Sequence, residues 1–366
     1  MVFPARSAVR PAMAGPPMIA TPSAAPSRHA AFALLSAPAT LSAVAALLIS
    51  ALLLLAVAGP AAAAAQADFS TWLAGVGREA VAQGISRATV ESALQGLAPL
   101  PRVLELDQRQ PEFNLSFADY LARVVTPARI ARGRTLVAEN RALLARVAQR
   151  YHVPPRIIVA LWGIESDFGR VSGTFPEVPA LATLAYNGRR SAYFRGELLS
   201  ALRILDEEHL PSSALQGSWA GAIGQTQFMP TAFLRYAVDF DHSGRRDIWH
   251  NRGDVFASAA NYLASAGWRD GETWGEAVRL PPGFDFSLAG PGSVKPPAAW
   301  SRLGVRQAAG GPLPANSALN GTIVLPEGPP GPAYLVFDNY RVLMRWNRSA
   351  FFVIAAGTLA DRIGDR

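Results

Sequence analysis

Glu165 ends an almost unbroken apolar run, Ile157 to Ile164, in the stretch IIVALWGIESDFGR. On a helix starting near Pro155 it shares a face with Ile158, Leu161 and Trp162, which lie seven, four and three residues back. Burial there disfavours the charged form and raises the pKa, as a carboxylic acid that must donate a proton near neutral pH requires. The alternative is a glutamate that turns from the helix end into water. Asp167 points to the other side of such a helix, so the two do not form an opposed carboxylate pair. Its expected role is to hydrogen-bond the loop, which leaves one acid rather than a dyad.

The segment GSWAGAIGQTQFMP, residues 217–230, is glycine-rich but lacks the Lys-Ser/Thr of a phosphate loop and the strand-turn-helix setting of a dinucleotide site. Its glycines allow close backbone approach, and Ser218, Gln225 and Gln227 between them suit the wall of a groove for a hydroxyl-rich ligand; a turn with packing glycines is the alternative. In DFDHSGRRDIW, residues 239–249, Asp239, Asp241 and Ser243 alternate ahead of Gly244 like the opening of a calcium loop. Beyond Gly244, Arg245 offers a backbone carbonyl, the twelfth place is His250 instead of an acid, and Asp254 has to close the site from a longer loop. An Asx-rich turn is the competing reading. The five histidines show no H-E-x-x-H spacing and no G-x-S-x-G elbow is present, which removes metalloprotease and α/β-hydrolase chemistry.

The elements that must position these groups read as mainly helical. Trp72, Val76, Val90 and Leu94 fall at helical spacing around a break at Gly84 and Ser86. RTLVAENRALLARVAQRY reads as one helix with a stripe of Leu136, Leu143, Val147 and Tyr151. The Glu165 helix starts at Pro154-Pro155 and stops at Gly169; the next carries Phe194, Leu198, Leu202 and Leu205 with Ser191 as N-cap. DVFASAANYLASAGW is helical too. From about 275 to 335 proline and glycine thicken and short runs such as GTIVLP suit small strands, a β-containing or irregular insertion. AYLVFDNYRVLMRW reads as one or two strands, and SAFFVIAAGTLADRI as a closing helix.

Residues 1–67 hold Arg6, Arg10 and Arg28, no acid, an apolar run AVAALLISALLLLAVAG and a small-residue tail, the order of a secretory signal; an uncleaved membrane anchor is the second reading. No cysteine is present, which excludes disulfides, a lipidated cysteine and cysteine-bound metal. Without the leader, 31 basic residues stand against 27 acidic ones, and the arginines look scattered, so nucleic acid is not an expected partner. The organisation expected is a leader over 1–67, an N-terminal helical part over 68–135, and a core over 136–366 carrying the insertion.

With VPPRIIVALWGIESDFGR, ALATLAYNGRRSAYFRGEL, GSWAGAIGQTQFMPTAFLRYAVDFDHSGRRDIW, ASAANYL and RWNRS in this order, the chain from about Asp68 to Arg366 closely resembles the lytic murein transglycosylase B family. The resemblance implies a mainly α (α+β) fold with a lysozyme-like catalytic core, and an enzyme that cuts peptidoglycan glycan strands between N-acetylmuramic acid and N-acetylglucosamine, leaving 1,6-anhydro ends. By it Glu165 is the acid/base, and the saccharide groove matches Arg189, Arg190, Tyr193, Ser218, Gln227, Tyr262, Trp346 and Asn347; some relatives carry tyrosine where Trp346 stands. The calcium loop matches Asp239, Asp241, Ser243, Arg245 and Asp254. No cofactor is implied for the chemistry, Ca2+ would be structural, and the expected state is a monomer in the periplasm or cell envelope.

Overall fold

The computed structural model describes residues 68–108 and 115–364; the expected leader lies outside them. Helix α1 covers residues 68–82, and α2, Arg87–Leu94, follows the break at Gly84 (φ +88°), with the Ser86 hydroxyl accepting from the Thr89 N–H at 3.3 Å. Then come α3 (Pro101–Gln108), α4 (Phe117–Val124), α5 (Pro127–Glu139) and α6 (Arg141–Tyr151). The single helix expected over RTLVAENRALLARVAQRY is therefore two. Asn140 separates them, its side-chain N–H donating at 2.8 Å to the Leu136 carbonyl at the end of α5. The boundary expected at 135/136 falls inside α5, which packs against α7 and α14, defined below.

Helix α7, Pro155–Ser166, is the centre of the molecule. Nine of its twelve residues are buried, and a helix apolar all round has to be wrapped by others. Helices α5, α6, α11 (Arg252–Ser265) and α14 (Ala350–Ile363) do this. Pro155 sits in its first turn, where a missing N–H costs nothing. The helix ends at Ser166, three residues before the expected stop. Asp167, Phe168 and Gly169 all take positive φ, and the Phe168 N–H reaches back to the Trp162 carbonyl at 3.2 Å. This folds the Phe168 ring over Gly163, where a Cβ would lie 2.6 Å from it. Truncating such a buried phenylalanine to alanine costs about 3–5 kcal/mol.

Strand β1 (Phe175–Pro176) leads into the hairpin of α8 (Glu177–Asn187) and α9 (Ser191–Glu207). Ser191 is the first residue of α9; Arg190 is the cap and makes no side-chain capping bond, so the expected serine cap does not form. Strand β2 (Gln216–Gly217) pairs with β1, and α10 (Pro230–Tyr236) packs on α9.

Strands β3 (Gly275–Arg279), β4 (Arg306–Gln307), β5 (Thr322–Val324) and β6 (Ala333–Val336), with α12 (Pro297–Arg302) before β4, form the expected insertion. The sheet is antiparallel in the order β4-β3-β6-β5, with Ala277 opposite Tyr334 and Ile323 opposite Leu335. It has its own core around the fully buried Trp300, whose indole N–H donates at 3.0 Å to Gly321, with Val305, Leu313, Ile323 and Leu335. Only AYLV is strand. DNYRVLMRW is helix α13, Asp338–Trp346, contrary to the strand reading. One residue, Phe337, separates β6 from α13, so the sheet feeds directly into the helix that ends in Trp346.

Candidate active site

Glu165 lies in the last turn of α7, 8% exposed, in a narrow cavity lined by Ile158, Leu161, Trp162, Thr226, Val255, Phe256, Ala259 and Trp346. The expected face of Ile158, Leu161 and Trp162 is the face observed, and the reading in which the carboxyl turns into water does not hold. Burial pushes its pKa from 4.5 up to about 7, against a single lowering hydrogen bond from the Trp346 indole N–H to Oε1 at 2.7 Å. No second carboxylate is among the cavity's lining residues. Asp167 behaves as expected of a loop residue, 2.6 Å from the Arg170 guanidinium and 3.8 Å from that of Arg129.

Trp346 is held by an aromatic group. Its ring centroid lies 4.9 Å from that of Tyr262, edge to face, and 5.4 Å from that of Phe228. The Tyr262 hydroxyl donates at 2.6 Å to the Arg345 carbonyl, tying α11 to the end of α13. Asn347 follows, buried, its side-chain oxygen accepting from the Ser349 N–H at 3.0 Å where α14 begins. Glu165, Tyr262, Trp346 and Asn347 are thus brought together by three helices and their ends.

The other groove candidates brace backbone. The Ser218 hydroxyl accepts from the Ala222 N–H at 3.0 Å. Gln227, at φ +51°, donates its amide to the carbonyls of Ser172 (3.0 Å) and Gly224 (2.9 Å), which leaves its own amide oxygen buried without a partner. Gln225 links this wall to α7, accepting from the Trp162 indole at 2.8 Å and donating to the Trp249 carbonyl at 2.6 Å. Gly169 is required here, because a Cβ on it would lie 2.3 Å from the Gln225 side-chain oxygen. Arg189, Arg190 and Tyr193 form a separate cluster at the α8–α9 turn and do not line the Glu165 cavity. Arg189 donates to the Asp107 carbonyl at 3.0 Å, and the Arg190 guanidinium lies 5.5 Å from the centroid of the exposed Tyr193 ring. Partial loss of water around the phenol end of this otherwise exposed side chain, with the nearby Glu197 charge, pushes the Tyr193 hydroxyl pKa upward.

In the 239–254 segment, carboxylate oxygens of Asp239, Asp241 and Asp254 all come within 4.8 Å of one another. Asp254 reaches this cluster from the first turn of α11, as the longer-loop reading requires. Burial pushes its pKa up to about 6; the Phe240 and Asp247 backbone N–H groups it accepts from oppose this, and the charges of Asp241 and Asp239 add to it. The Ser243 hydroxyl donates at 3.3 Å to the Arg245 carbonyl, so both remaining candidates sit in the same turn. Three mutually repelling carboxylates and a carbonyl form a hard-oxygen donor set, which fits Ca2+.

Residues 68–361 match the family described as "Transglycosylase SLT domain". The chain belongs to this transglycosylase family. Among relatives of known activity, it is 35% identical over 216 residues to membrane-bound lytic murein transglycosylase B of Escherichia coli K12, a match covering 55% of this chain and 60% of that protein. The chain thus aligns with under two thirds of that relative's length. SltB3 of Pseudomonas aeruginosa, solved in complex with NAG-anhNAM-pentapeptide, is 44% identical, with 81% of this chain and 79% of that one covered at a TM-score of 0.77. Escherichia coli SLT35, solved in complex with calcium, is 29% identical, covering 80% and 92% at a TM-score of 0.68. The mainly α, lysozyme-like fold expected from the sequence is the fold of these transglycosylases.

Two residues of this family member escaped the sequence reading. The Thr226 hydroxyl, buried in the wall of the Glu165 cavity, has no hydrogen-bond partner; its place between the two noted glutamines was the available signal. Glu177, wholly buried at the start of α8, has both carboxyl oxygens unpartnered and lies under Gly217 and Gly221. Burial, reinforced by the Glu197 charge, holds its pKa well above the ordinary range. Nothing in the flanking SGTFPEVPA marks it as buried.

Proposed function

We propose that the chain is a peptidoglycan lytic transglycosylase in which Glu165 is the one acid/base. The observation that carries this reading is the lone carboxyl in an apolar cavity with its pKa raised to about 7, in a member of a transglycosylase family. Half-protonated near neutral pH, such a group can serve in both directions. Glu165 gives its proton to the oxygen joining the muramoyl C1 to N-acetylglucosamine as that bond breaks. The resulting carboxylate takes the proton of the muramoyl C6 hydroxyl as O6 bonds to C1. Water is not consumed, and the product is a 1,6-anhydro sugar. A tethered nucleophile has a large effective concentration over water, which makes a second carboxylate unnecessary.

Trp346 orients the carboxyl through its N–H, and with Tyr262 and Phe228 it presents aromatic surface of the kind on which sugar rings stack. The Thr226 hydroxyl, in the wall of the same cavity, is a polar group left without a protein partner, and so is the Gln227 oxygen in the neighbouring backbone wall. Arg189, Arg190 and Tyr193 are assigned to a more distant part of the glycan strand. Asp239, Asp241, Asp254, Ser243 and the Arg245 carbonyl would hold a Ca2+ that clamps the loop after α10 to α11 and takes no part in the reaction. The place of action is the cell envelope, reached through the export signal read in residues 1–67. The organisation into an N-terminal helical part and a core carrying the sheet insertion is part of the same reading.

Digestion of purified murein with wild type and Glu165→Gln tests this. Wild type should release muropeptides with anhydro ends, and the variant should lose at least about 10²–10⁴-fold in rate with its fold intact. Products heavier by one water, with reducing ends, would make the enzyme a hydrolase; undiminished cleavage by the variant would remove Glu165 from the mechanism.

A further inference from the structure

The arginines that look scattered in the sequence are gathered by the fold. Gly133 of α5 lies so close to Ile363 at the end of α14 that a Cβ there would overlap it, and the same Cβ would be 3.6 Å from the Phe168 ring just past α7. Around this junction stand Arg129, Arg132, Arg134, Arg156, Arg170 and Arg362. Arg132 lies over the Phe168 ring with its guanidinium carbon 5.8 Å from the centroid, and the Arg134 Nε donates at 2.9 Å to the Arg362 carbonyl. Among the described residues, Asp167 and Asp361 are the carboxylates seen paired with these arginines. Asp167 pairs with Arg129 and Arg170, and Asp361 lies 4.0 Å from Arg156. Glu139, the acidic residue of α5, sits at its last position. Arg132, Arg134 and Arg362 are exposed and have no ion pair among the described residues.

We propose that this face, formed by α5 with the ends of α7 and α14, docks on an anionic phospholipid surface, with Arg132, Arg134 and Arg362 as its phosphate-binding side chains. The guanidinium fork matches phosphate oxygens two at a time and gives up its hydration more readily than an ammonium, and all but one of the chain's basic side chains are arginine. Arg132, Arg134 and Arg362 lie on exposed helix surface, while Gly133 and Leu136 of α5 carry the packing. α5 alone is about 20 Å long by its rise per residue, so the face meets several lipid headgroups at once. Among the described residues no helix is long and apolar enough to cross a membrane. Each arginine near an anionic bilayer strengthens binding about fivefold. Carboxylates of murein stem peptides share the negative charge but not the paired-phosphate geometry or the continuous sheet of charge. This inference does not depend on the reaction assigned to Glu165.

The test is co-sedimentation of the full-length chain with vesicles of phosphatidylcholine and with vesicles in which a third of the lipid is phosphatidylglycerol, at low and high salt. Neutral vesicles report whatever the apolar N-terminal run contributes; because the leader also carries Arg6, Arg10 and Arg28, the share of the anionic increment that the triple variant loses is what reports the helix arginines. The increment should be present at low salt and vanish at high salt. It should fall about a hundredfold in the triple variant Arg132→Gln, Arg134→Gln, Arg362→Gln, and about fivefold in Arg132→Gln alone, with murein cleavage in solution unchanged. Equal binding to both vesicles, or an increment that the triple variant keeps undiminished, overturns the proposal. So does a variant that weakens on murein sacculi and not on vesicles, because the arginines would then read stem peptides.

Discussion

Exchanging Trp346 for phenylalanine keeps a ring against Tyr262 and Phe228 but removes the one N–H aimed at Glu165 Oε1. Glu165 has moved from 4.5 to about 7, which corresponds to about 3 kcal/mol against the charged form. That figure is what remains after the indole bond has pulled the other way. A hydrogen bond to a charged group contributes about 1.5–3 kcal/mol, or one to two pH units. Without it the acid should titrate higher than in wild type by about one to two units. The first proton transfer needs the protonated form, so the alkaline limb of kcat/KM on murein should move up by the same one to two units. The whole profile should also be lower, because aromatic surface is lost. The readout is therefore the position of the limb on the pH axis, measured beside a carbon-13 titration of the Glu165 carboxyl in the ligand-free protein. A limb that stays in place or moves down would mean that the indole is not what restrains the effect of burial.

Glu165→Gln should separate activity from stability. Folding raises this carboxyl's pKa, so its stabilising contribution is complete below about 4.5 and is lost as pH climbs through about 7. Urea unfolding should find the variant no better than wild type at pH 4 and more stable by up to about 3 kcal/mol at pH 8. Glu177→Gln should flatten a second slope of the same sign. Its upward-shifted carboxyl makes wild type lose stability as pH rises above the ordinary carboxylate range, which unfolding at pH 5 and pH 8 would read. Millimolar Ca2+ should raise the melting temperature of wild type, and Asp239→Asn should blunt the rise, because an ion bound only by the native loop stabilises it. An unchanged melting temperature would leave residues 239–254 as a plain turn.

The acid was legible in the sequence because its information is local. Helical spacing put Glu165 above Ile158, Leu161 and Trp162, and nothing distant was needed to say that the face is apolar. Alternate spacing of Asp239, Asp241 and Ser243 likewise marked the segment where Asp239, Asp241 and Asp254 gather. What was hidden depends on contacts between remote positions: Trp346 meets Glu165 across 181 residues, and Asp254 joins its partners only once α11 has docked. Two elements were misjudged for local reasons. AYLVFDNYRVLMRW mixes aromatic and branched residues that satisfy strand and helix alike, and only sheet pairing confines the strand to its first four. The α5–α6 break has neither proline nor glycine; Asn140 makes it by bonding the preceding turn, as short polar side chains do. The proposed arginine face was invisible for the same reason as Trp346, since Arg134 reaches Arg362 only after α5 and α14 meet.

The passage from β6 through Phe337 into α13 leaves a single residue of slack between the small sheet and the helix that ends in Trp346. A slackened strand edge, far from any sugar, would shift the helix that follows and draw the indole away from its carboxyl. If that strain is passed along α13, a substitution around Trp300 should move the pH at which Glu165 titrates before it unfolds the chain, and a titration that stays in place would show the sheet and the cavity to be independent.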